Sequence, residues 1–470
     1  MKNLYIFLFI TFSLSLISCQ KKGTTNNIKS VSKIKKKIFI DKIWSPTRVG
    51  FYLMTHDDEQ FIAYYNSERR MVVAKRNLKD TTFDKRVLPS KSEKPPTRKT
   101  SSTVQGWDSH NSIKMAIDNA GHIHLAGNMH ANKLTYFYST KPYDIHSLVQ
   151  IDNMIGNREN RCTYPKFNKL KDGSFIFHYR DGGSGNGVEV FNIFDTNTKK
   201  WSRLFDKPFI TGDGKMNAYQ NGPRLGPDGK YHILWVWRDT PDASTNHDLS
   251  YAMSDDFVNW KNVFGEKLKL PITIRSKDTI VDPIPVKGGI INGCHHYSFD
   301  RKKRLIISYH KHDENGHTQA YVARLDNGKW NIKAISNWKS THIFKGGGTG
   351  PSTFGTSLRL GAIKKHQDKY LALPFSHWIA GKGLLVIDEE TLEFVRVDKN
   401  IIKKQAPTEM NKLISKFKGM QVRIQGGPDN EKKRQVKYLM KWETLGSNRD
   451  RPRPKPWPKN SDLFLYTVKK

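Results

Sequence analysis

Two histidines, a tyrosine and an arginine form the most chemically suggestive set in this chain of 470 residues. They are His110 in GWDSHNS, His130 in GNMH, Tyr164 in TYPKF and Arg180 in HYRDGGSGNG. Arginine can hold a carboxylate through paired hydrogen bonds, and histidine can hydrogen-bond or protonate it near neutral pH. A tyrosine whose pKa is lowered by nearby cations can remove a proton and later return it. These groups suit β-elimination on a uronate, a reaction for which we expect no metal or cofactor to be required.

The positions of these residues follow a repeated strand-turn-strand pattern. Four polar residues each lie eight positions before the aspartate of a turn: His110, Tyr164, Gln220 and Asn292, before Asp118, Asp172, Asp228 and Asp300. Each turn is followed by an apolar run that is predicted to end in a basic residue: His130, Arg180, Arg238 and His310. A β-unit that repeats in this way brings the same positions of several units to one end of a propeller or barrel.

Short β-patterns recur along the rest of the chain, and helical periodicity is scarce. Weaker copies of the unit occupy residues 51–75, 357–397 and 420–468, which brings the number of copies to seven. Residues 254–260, SDDFVNW, resemble the Asp-box turn between the outer strands of sialidase-type blades. We therefore predict an all-β fold, a single-domain seven-bladed β-propeller over residues 43–470. A β-helix is the alternative, but its coils would be shorter and more regular.

The N-terminal segment predicts export and attachment to a membrane. Residues 1–18 are typical of a lipoprotein signal peptide, because a short basic start precedes an apolar run too short to span a bilayer. The residues before Cys19 resemble a lipobox, in which this cysteine carries the lipid; ordinary secretion is the alternative. Residues 19–42 are polar and basic and are predicted to be a flexible tether. The expected location is the cell envelope, with the outer membrane as the anchoring membrane and its side left open.

The charge of the chain indicates an anionic partner. Lysine and arginine number 79 against 44 aspartates and glutamates, a net charge of +35, and a field of this sign favours the capture of polyanions. An exported protein rarely meets nucleic acid, whereas sulfated or uronate-bearing polysaccharides carry the same charge outside the cell. A basic surface that serves solubility is the alternative. Cys162 and Cys294, the cysteines left after Cys19, form no disulfide framework. We expect a monomer.

Several sequence blocks, taken together, resemble a known family. GWDSHNS, GNMH, TYPKF, HYRDGGSGNG, NAYQNGP, WVWRDTPDASTNHDLSYA and YHKHDENGHTQAYVAR are similar to the propeller lyases of polysaccharide lyase families 24 and 25, the ulvan lyases, and most similar to family 25. The resemblance implies that Tyr164 is the base and also the acid, that His110 and His130 neutralise the carboxylate or share the acid–base work, and that Arg180 is an electrostatic stabiliser. It implies a substrate, ulvan, that is a sulfated polymer of rhamnose and uronic acid. The resemblance also implies that the product carries a 4,5-unsaturated uronate.

Further residues in these blocks give a substrate-binding set and a metal set. Asn111, Asn221 and Arg238 lie at the same predicted face and are expected to bind substrate; hydrogen bonding within the turns of the blades is the alternative. Cys294 and His296 point to one face of a predicted strand, and His310 and His247 could complete a tetrahedral Zn²⁺ site. A structural zinc ion is thus possible, with a buried free cysteine among histidines as the alternative.

Two other functions share parts of this pattern. A sialidase-like glycoside hydrolase would need an arginine triad, a Tyr–Glu pair and an Arg-Ile-Pro segment, and the sequence contains no Arg-Ile-Pro. A noncatalytic glycan-binding lipoprotein would show aromatic platforms, such as Trp107 and Trp378, without a poised acid–base set. The set of His110, His130, Tyr164 and Arg180 favours the lyase.

Overall fold

Antiparallel β-strands carry most of the regular structure in the computed structural model of the chain, which describes residues 33–343, 358–399 and 406–470. Cys19, the predicted signal peptide and most of the predicted tether lie outside these residues. Helical structure in the described part consists of four short 3₁₀ turns: Ile145–Ser147, Ala243–Thr245, Lys277–Thr279 and Thr408–Asn411. None of these described helices has the length or apolar character needed to cross a membrane. The prediction of an all-β protein is confirmed.

The described strands form seven sheets of four or five strands, numbered here along the chain. Sheet 1 contains β2 (Tyr52–His56), β3 (Glu59–Tyr65), β4 (Met71–Asn77) and β5 (Asp84–Val87). Sheet 2 contains β6 (Ile113–Ile117), β7 (Ile123–Gly127), β9 (Tyr136–Ser139) and β10 (Leu148–Ile151). Sheet 3 contains β8 (His130–Asn132), β11 (Cys162–Lys169), β12 (Phe175–Gly183), β13 (Asn186–Asp195) and β14 (Lys200–Arg203).

The later part of the chain repeats this arrangement. Sheet 4 contains β15 (Asn217–Leu225), β16 (Tyr231–Arg238), β17 (Asn246–Ser254), β18 (Trp260–Lys261) and β19 (Ile280–Asp282). Sheet 5 contains β20 (His296–Phe299), β21 (Leu305–His312), β22 (Thr318–Asp326) and β23 (Lys329–Ala334). Sheet 6 contains β24 (Leu358–Leu360), β25 (Lys364–His366), β26 (Tyr370–His377), β27 (Gly381–Asp388) and β28 (Phe394–Asp398). Sheet 7 contains β29 (Met420–Gly426), β30 (Val436–Leu445), β31 (Ser461–Lys469) and β1 (Ile34–Ile43).

The four predicted aspartates all lie in the turn between the first two long strands of their sheets. The Asp118 carboxylate accepts hydrogen bonds from the backbone N–H groups of Ala120 and His122, both at 2.9 Å. The other three carboxylates accept a backbone N–H two or four residues later: Asp172 from Ser174, Asp228 from Lys230 and Asp300 from Arg304. Aspartate favours such turns because its side chain replaces a backbone acceptor. The predicted strand-turn-strand repeat is confirmed.

The first and last strands of the described chain share one sheet. β1 pairs with β31 over its length, from Ile34 opposite Val468 to Ile43 opposite Ser461. The prediction of a flexible tether extending to residue 42 is therefore wrong for residues 34–42. Ile38, Ile40 and Ile43 are buried against sheets 7 and 1, and this alternation of apolar residues outweighs the lysines between them.

Apolar residues of neighbouring sheets pack face to face. One buried cluster joins sheets 7, 1 and 2, and further clusters join sheets 2 and 3, 3 and 4, 4 and 5, and 5 and 6. β16 is buried along its whole length, with Trp235 and Trp237 at 0% and 1% exposure. Sheets 1 to 5 thus use both faces for the core.

Candidate active site

His110 and His130 share one carboxylate, that of Asp108 in the loop before β6. His110 Nδ1 lies 2.8 Å from Asp108 Oδ1, and His130 Nδ1 lies 2.6 Å from Asp108 Oδ2. The two imidazole rings are 4.3 Å apart. One aspartate therefore orients both rings and engages the Nδ1 atom of each, which leaves the two Nε2 atoms for a ligand.

His130 is not at the end of the strand that follows Asp118, as the repeat predicted. That strand, β7, ends at Gly127, and His130 begins β8 in the next sheet. The chain reverses at Asn128, which has a φ of 60°. The Asn128 amide holds the reversal by donating to the carbonyl groups of Ser102 and Val104 at 2.8 and 2.9 Å. This turn places His130 beside His110.

A second carboxylate reaches His110 from the far end of the chain. Asp450, in the connection between β30 and β31, lies 3.3 Å from His110 Nδ1. It also accepts hydrogen bonds from the backbone N–H and the hydroxyl of Ser109, at 3.0 and 3.1 Å. The connection from sheet 7 thus clamps the loop that carries Asp108 and His110.

These contacts set the charge of the cluster. Burial by itself would lower the pKa of His110, but the hydrogen bonds to Asp108 and Asp450 raise it to about 9. Burial would raise the pKa of Asp108, but the hydrogen bonds from both histidines lower it well below its usual range. At neutral pH His110 is therefore an imidazolium and Asp108 a carboxylate.

Asp108, His110, His130 and Asp450 are also close enough to hold a metal ion, since their ligand atoms all lie within 4.8 Å of one another. Two ligands of a tetrahedral zinc ion bound at about 2.0–2.1 Å would be separated by about 3.3 Å. The carboxylate-to-imidazole distances of 2.6 and 2.8 Å are shorter and are those of charge-assisted hydrogen bonds. The geometry therefore fits a proton-sharing network better than a metal site.

Tyr164 faces the two histidines from β11. Its ring lies 6.1 Å from that of His110 and 6.0 Å from that of His130, and it is 38% exposed. Its φ of 55° is uncommon for a residue other than glycine and coincides with an irregularity in the pairing of β11 with β12. Residues held in such backbone conformations are concentrated at functional sites.

The ionisation of Tyr164 differs from the expectation. Burial at the pocket raises its pKa above the usual value, and the positive charge of Arg180 offsets only part of this increase. The prediction that neighbouring cations lower the net pKa is therefore wrong for the free protein. Tyr164 rests in its protonated form at neutral pH.

Arg180 lies behind Tyr164, with its guanidinium carbon 5.0 Å from the centre of the tyrosine ring. It is 2% exposed, and its Nε and Nη1 have no hydrogen-bond partner. Asn217, 1% exposed, likewise has both side-chain polar atoms unpaired. Gly187 makes room for both, since a Cβ there would come within 2.9 Å of Arg180 Cδ and Asn217 Oδ1. Buried donors without partners are costly unless a ligand satisfies them.

A pocket of about 280 Å³ opens between Tyr164 and Arg180. It also contains Lys114 and Lys166, whose pKa values are lowered by burial. Gln220 lines the pocket as well and donates to the Glu189 carboxylate at 2.6 Å. Three cations against one hydrogen-bonded carboxylate make this pocket suited to an anionic ligand.

The structure places the three predicted substrate-binding residues in different surroundings. Asn111 is buried next to the histidine loop, and its carbonyl accepts from the Tyr65 hydroxyl at 2.9 Å. The Asn221 amide donates to the carbonyl of His295 at 2.9 Å, between sheets 4 and 5. Arg238 donates to the carbonyls of Thr240 and Pro241 and stacks on the Tyr219 ring. The hydrogen bonds of Asn221 and Arg238 are those expected of blade turns, whereas the buried Asn111 Oδ1 has no partner in the described residues and Tyr219 lines the pocket. Substrate binding by the three residues stays a prediction.

The four predicted metal ligands are not brought together. In the described part of the chain, His247 has both ring nitrogens next to carboxylates, those of Asp239 at 3.0 Å and Asp248 at 3.2 Å. His296 Nε2 lies 3.0 Å from the carbonyl of Leu360. Cys294 is half-buried, and no group of three potential ligands within metal-binding reach contains any of the four.

His310 is the predicted metal ligand whose ring nitrogens are both free of hydrogen bonds in the described residues. It is 1% exposed, and neither of its ring nitrogens has a partner. The same is true of His295, which is 2% exposed and was not in the predicted set. Alternation along the strand favoured His296 over His295, but β20 begins only at His296, so the pattern does not extend back to Cys294.

Five residues of the site were missed by sequence reasoning: Asp108, Asp450, Lys114, Lys166 and Asn217. Asp108 had a local signal, since it precedes His110 by two residues, a spacing at which an aspartate side chain often bonds the following loop. Lys166 also had a local signal, since it follows Tyr164 by two residues in a strand and side chains at this spacing point to the same face. Asp450 had no local signal, because it lies 340 residues from His110 and meets it only through the fold.

Relatives of this chain are found among curated proteins. A 151-residue stretch is 32% identical to the short isoform of an ulvan lyase from Alteromonas sp. (strain LOR), covering 28% of this chain and 27% of the relative. An ulvan lyase from Nonlabens ulvanivorans is 28% identical over 210 residues, covering 38% of this chain and 43% of the relative. The matches thus span about a quarter and less than half of the length of these two relatives.

Solved structures show the same fold at low sequence identity. A polysaccharide lyase aligns with 93% of this chain and 99% of its own, with a TM-score of 0.56 and 16% identity. A family 25 ulvan lyase, solved with a bound saccharide of glucuronate and sulfated rhamnose, aligns with 92% of this chain and 96% of its own, with a TM-score of 0.54 and 14% identity.

The strongest assignment comes from the repeats themselves. The family profile described as "BNR repeat-containing family member" matches residues 59–338. This range is more than half of the chain, contains sheets 1 to 5 except β2, and includes Asp108, His110, His130, Tyr164 and Arg180. The chain therefore belongs to the BNR repeat-containing family.

Proposed function

We propose that this protein is a polysaccharide lyase that cleaves ulvan by β-elimination at the bond to glucuronate or iduronate. The observation that carries the proposal is the position of Tyr164, which faces His110 and His130 at ring distances of 6.1 and 6.0 Å and lines a cationic pocket together with Arg180. The relatives named as ulvan lyases support the choice of substrate. A lyase of this kind needs a cation for the uronate carboxylate, a base for the neighbouring carbon and an acid for the leaving oxygen, and the histidine pair and Tyr164 supply these groups side by side.

The histidine pair neutralises the uronate carboxylate. The negative charge of the carboxylate would otherwise oppose removal of the proton at C5, because a second negative charge spreads onto this carboxylate as the proton leaves. His110, held as an imidazolium by Asp108 and Asp450, supplies a positive charge at neutral pH. His130, oriented by the same Asp108, presents its Nε2 to the same region. Preorganised groups of this kind stabilise a developing charge without a reorganisation cost.

Tyr164 carries the proton in our proposal. As a phenolate it takes the C5 proton, the electron pair left on C5 forms the C4–C5 double bond, and the C4–O bond to the neighbouring sugar breaks. The departing oxygen then takes the proton from the Tyr164 hydroxyl, which restores the phenolate. Arg180, buried 5.0 Å from the ring with unpaired N–H groups, stabilises the phenolate.

The two carboxylates that contact His110 do not fit a glycoside hydrolase. Such enzymes use one carboxyl group with a raised pKa as general acid. Burial would raise the pKa of Asp450, but hydrogen bonds from His110 and Ser109 lower it, and the pKa of Asp108 is lowered as well. Both groups are thus held as carboxylates by histidine, which favours elimination over hydrolysis.

The direct test is incubation of the purified protein with ulvan, followed by the ultraviolet absorbance of the unsaturated uronate. We expect absorbance to rise with time and the new chain ends to carry the 4,5-double bond. An absence of product on ulvan and on other uronate polymers would contradict the lyase. Binding of ulvan without cleavage would instead favour the glycan-binding protein.

The ionisation of the site predicts an unusual pH profile. We expect kcat/KM to rise with pH through neutrality, because the fraction of Tyr164 phenolate grows. It should stop rising at about pH 9, where His110 begins to lose its proton, since each further gain in phenolate is cancelled by a loss of imidazolium. Initial rates at low substrate concentration between pH 6 and 10 measure this. A profile that falls already above pH 7 would contradict a protonated His110.

The arrangement of the sheets and the N-terminal sequence support further proposals about the fold and the location of the protein. We propose that the seven sheets are the blades of a single-domain propeller closed by β1 on β31, as the shared cores between successive sheets suggest. We also propose lipid attachment at Cys19 and a monomer at the cell envelope. A Cys19→Ala protein that still sediments with membranes would refute the anchor, and the mass in solution tests the monomer.

We also propose a structural metal ion, with His295 and His310 as ligands in place of the predicted set. The buried, unpaired imidazoles of His295 and His310 fit a zinc ion, since such nitrogens otherwise leave polar atoms unsatisfied. The ion would stabilise the start of sheet 5 and take no part in the reaction. Metal analysis of the purified protein, before and after a His310→Ala exchange, tests this.

A further inference from the structure

A second cavity, larger than the catalytic pocket, lies on sheet 7. It has a volume of about 770 Å³, against about 280 Å³ for the catalytic pocket. Its walls come from the end of β1, from β30 and β31, from the segment before β29 and from residues 456–460. These parts of the chain lie outside the range matched by the family profile, residues 59–338. The volume is within the range of about 300–1,000 Å³ typical of ligand sites.

The charges around this cavity favour an anion. Four lysines line it, Lys42, Lys416, Lys441 and Lys459, together with two acids, Glu443 and Asp462. Both acids are engaged: Asp462 by Lys42 at 3.1 Å, and Glu443 by the backbone N–H groups of Ile414 and Ser415 at 2.6 and 2.8 Å. Within the described residues, the exposed Lys416 and Lys459 have no side-chain partner.

The wall that carries Lys416 is held in place by buried polar groups. Glu443 is 6% exposed and Lys441 is 4% exposed. Lys441 donates to the carbonyl of Lys412 at 2.7 Å, and Glu443 accepts from the next turn of the same segment. Two buried side chains of opposite charge thus fix residues 412–415 over the sheet, so the cavity is preformed.

An exposed indole completes the cavity. Trp457 is 37% exposed, and its Nε1 donates to the carbonyl of Arg453 at 3.0 Å, which fixes the ring. A fixed indole offers an apolar face on which the C–H face of a sugar ring can pack. Lysines beside an aromatic ring are the combination expected for a sugar that carries sulfate or carboxylate.

The same ring connects the cavity to the catalytic site. Trp457 packs edge-to-face against Trp107 at 5.3 Å, and Trp107 is adjacent to Asp108. The connection between β30 and β31 contributes both Asp450, which binds His110, and Trp457, which lines the cavity. The wall of the cavity and the segment that carries Asp108 and His110 are therefore connected through Trp457, Trp107 and Asp450.

We propose that this cavity is a second saccharide-binding site, which holds a sulfated or carboxylated unit of a long polymer while another part of the polymer occupies the catalytic pocket. The inference rests on the proposed function for the identity of the polymer. Linking two sites on one chain raises the affinity for long substrates without a new contact to short ones. The site would thus favour long polymer over short products.

The test compares two double variants in the full chain. Lys416→Ala with Lys459→Ala removes the two unpaired charges of the cavity. Lys364→Ala with Lys365→Ala removes two exposed charges from β25 in sheet 6 and serves as a control for net charge. Binding of ulvan and of an ulvan tetrasaccharide is measured by calorimetry, with Tyr164→Phe added to each protein so that the polymer stays intact.

We expect the cavity variant to bind polymer about tenfold more weakly, with a smaller dependence on salt, and the control to stay within about twofold of the parent. Tetrasaccharide binding should not show this loss. Equal loss in the control, unchanged polymer binding, or an equal loss for the tetrasaccharide would overturn the proposal.

Two further measurements distinguish saccharide binding in the cavity from membrane binding and from the reaction at the catalytic pocket. The first is binding to vesicles of phosphatidylcholine with phosphatidylglycerol. If the cavity variant binds these vesicles more weakly than the parent but binds the polymer equally well, the cavity binds a membrane surface and the proposal is wrong. Cleavage by the protein with native Tyr164 is scored on its own. A protein that binds polymer through the cavity but yields no unsaturated product would refute the proposed reaction and leave the binding site standing.

Discussion

A Tyr164→Phe exchange is expected to lower kcat on ulvan by about 10³-fold, since a group that both removes and returns a proton contributes about 10²–10⁴-fold to a rate. The phenyl ring keeps its packing against Arg180, whose guanidinium carbon lies 5.0 Å from the ring centre. KM should therefore change little, because the lost hydroxyl acts on the reaction and not on the fold. Initial rates of unsaturated uronate formation measure the effect.

A matched exchange elsewhere controls for the loss of a hydroxyl. Tyr370→Phe changes a half-buried tyrosine in β26 of sheet 6, a sheet that contributes no residue to the catalytic pocket. It should keep kcat within about twofold of the parent. A Tyr164→Phe protein that retains more than about a tenth of the activity would show that another group is the base.

An Asp108→Asn exchange is expected to lower kcat/KM by about 10²-fold at pH 9 and by much less at pH 6. An amide has one acceptor oxygen and cannot hold both His110 and His130, and it carries no charge to keep His110 protonated. The pKa of His110, about 9 in the parent, should fall toward the ordinary value near 6.5. The pH at which kcat/KM stops rising should fall with it, which the pH–rate profile measures.

The shift in the pH at which kcat/KM levels off distinguishes a positioning role of Asp108 from a merely structural one. Loss of folding would lower the rate equally at all pH values, whereas loss of the His110 charge moves the levelling point. Asp58→Asn, at an exposed turn of sheet 1, removes one carboxylate without touching the histidines and should leave the profile unchanged. An Asp108→Asn profile that still levels at pH 9 would mean that Asp450 alone holds the proton on His110.

Much of the fold was readable from local patterns. Alternating apolar residues and Asp-containing turns are short-range features, so they predicted the hairpins around Asp118, Asp172, Asp228 and Asp300, and the structure contains all four. The described residues contain seven sheets, and that these are the seven blades of one propeller stays a proposal. Local patterns did not predict the pairing of β1 with β31, because that contact joins segments more than 400 residues apart.

The sequence by itself determined the residue types of the site and their order along the chain: two imidazoles, a phenol and a guanidinium. Only the tertiary structure decided their charge. The reversal at Asn128 brings His130 beside His110, and the connection from sheet 7 brings Asp450 to the same ring. A pKa depends on burial and on charges within a few ångströms. His110 is therefore charged and Tyr164 neutral for reasons that no local spacing contains.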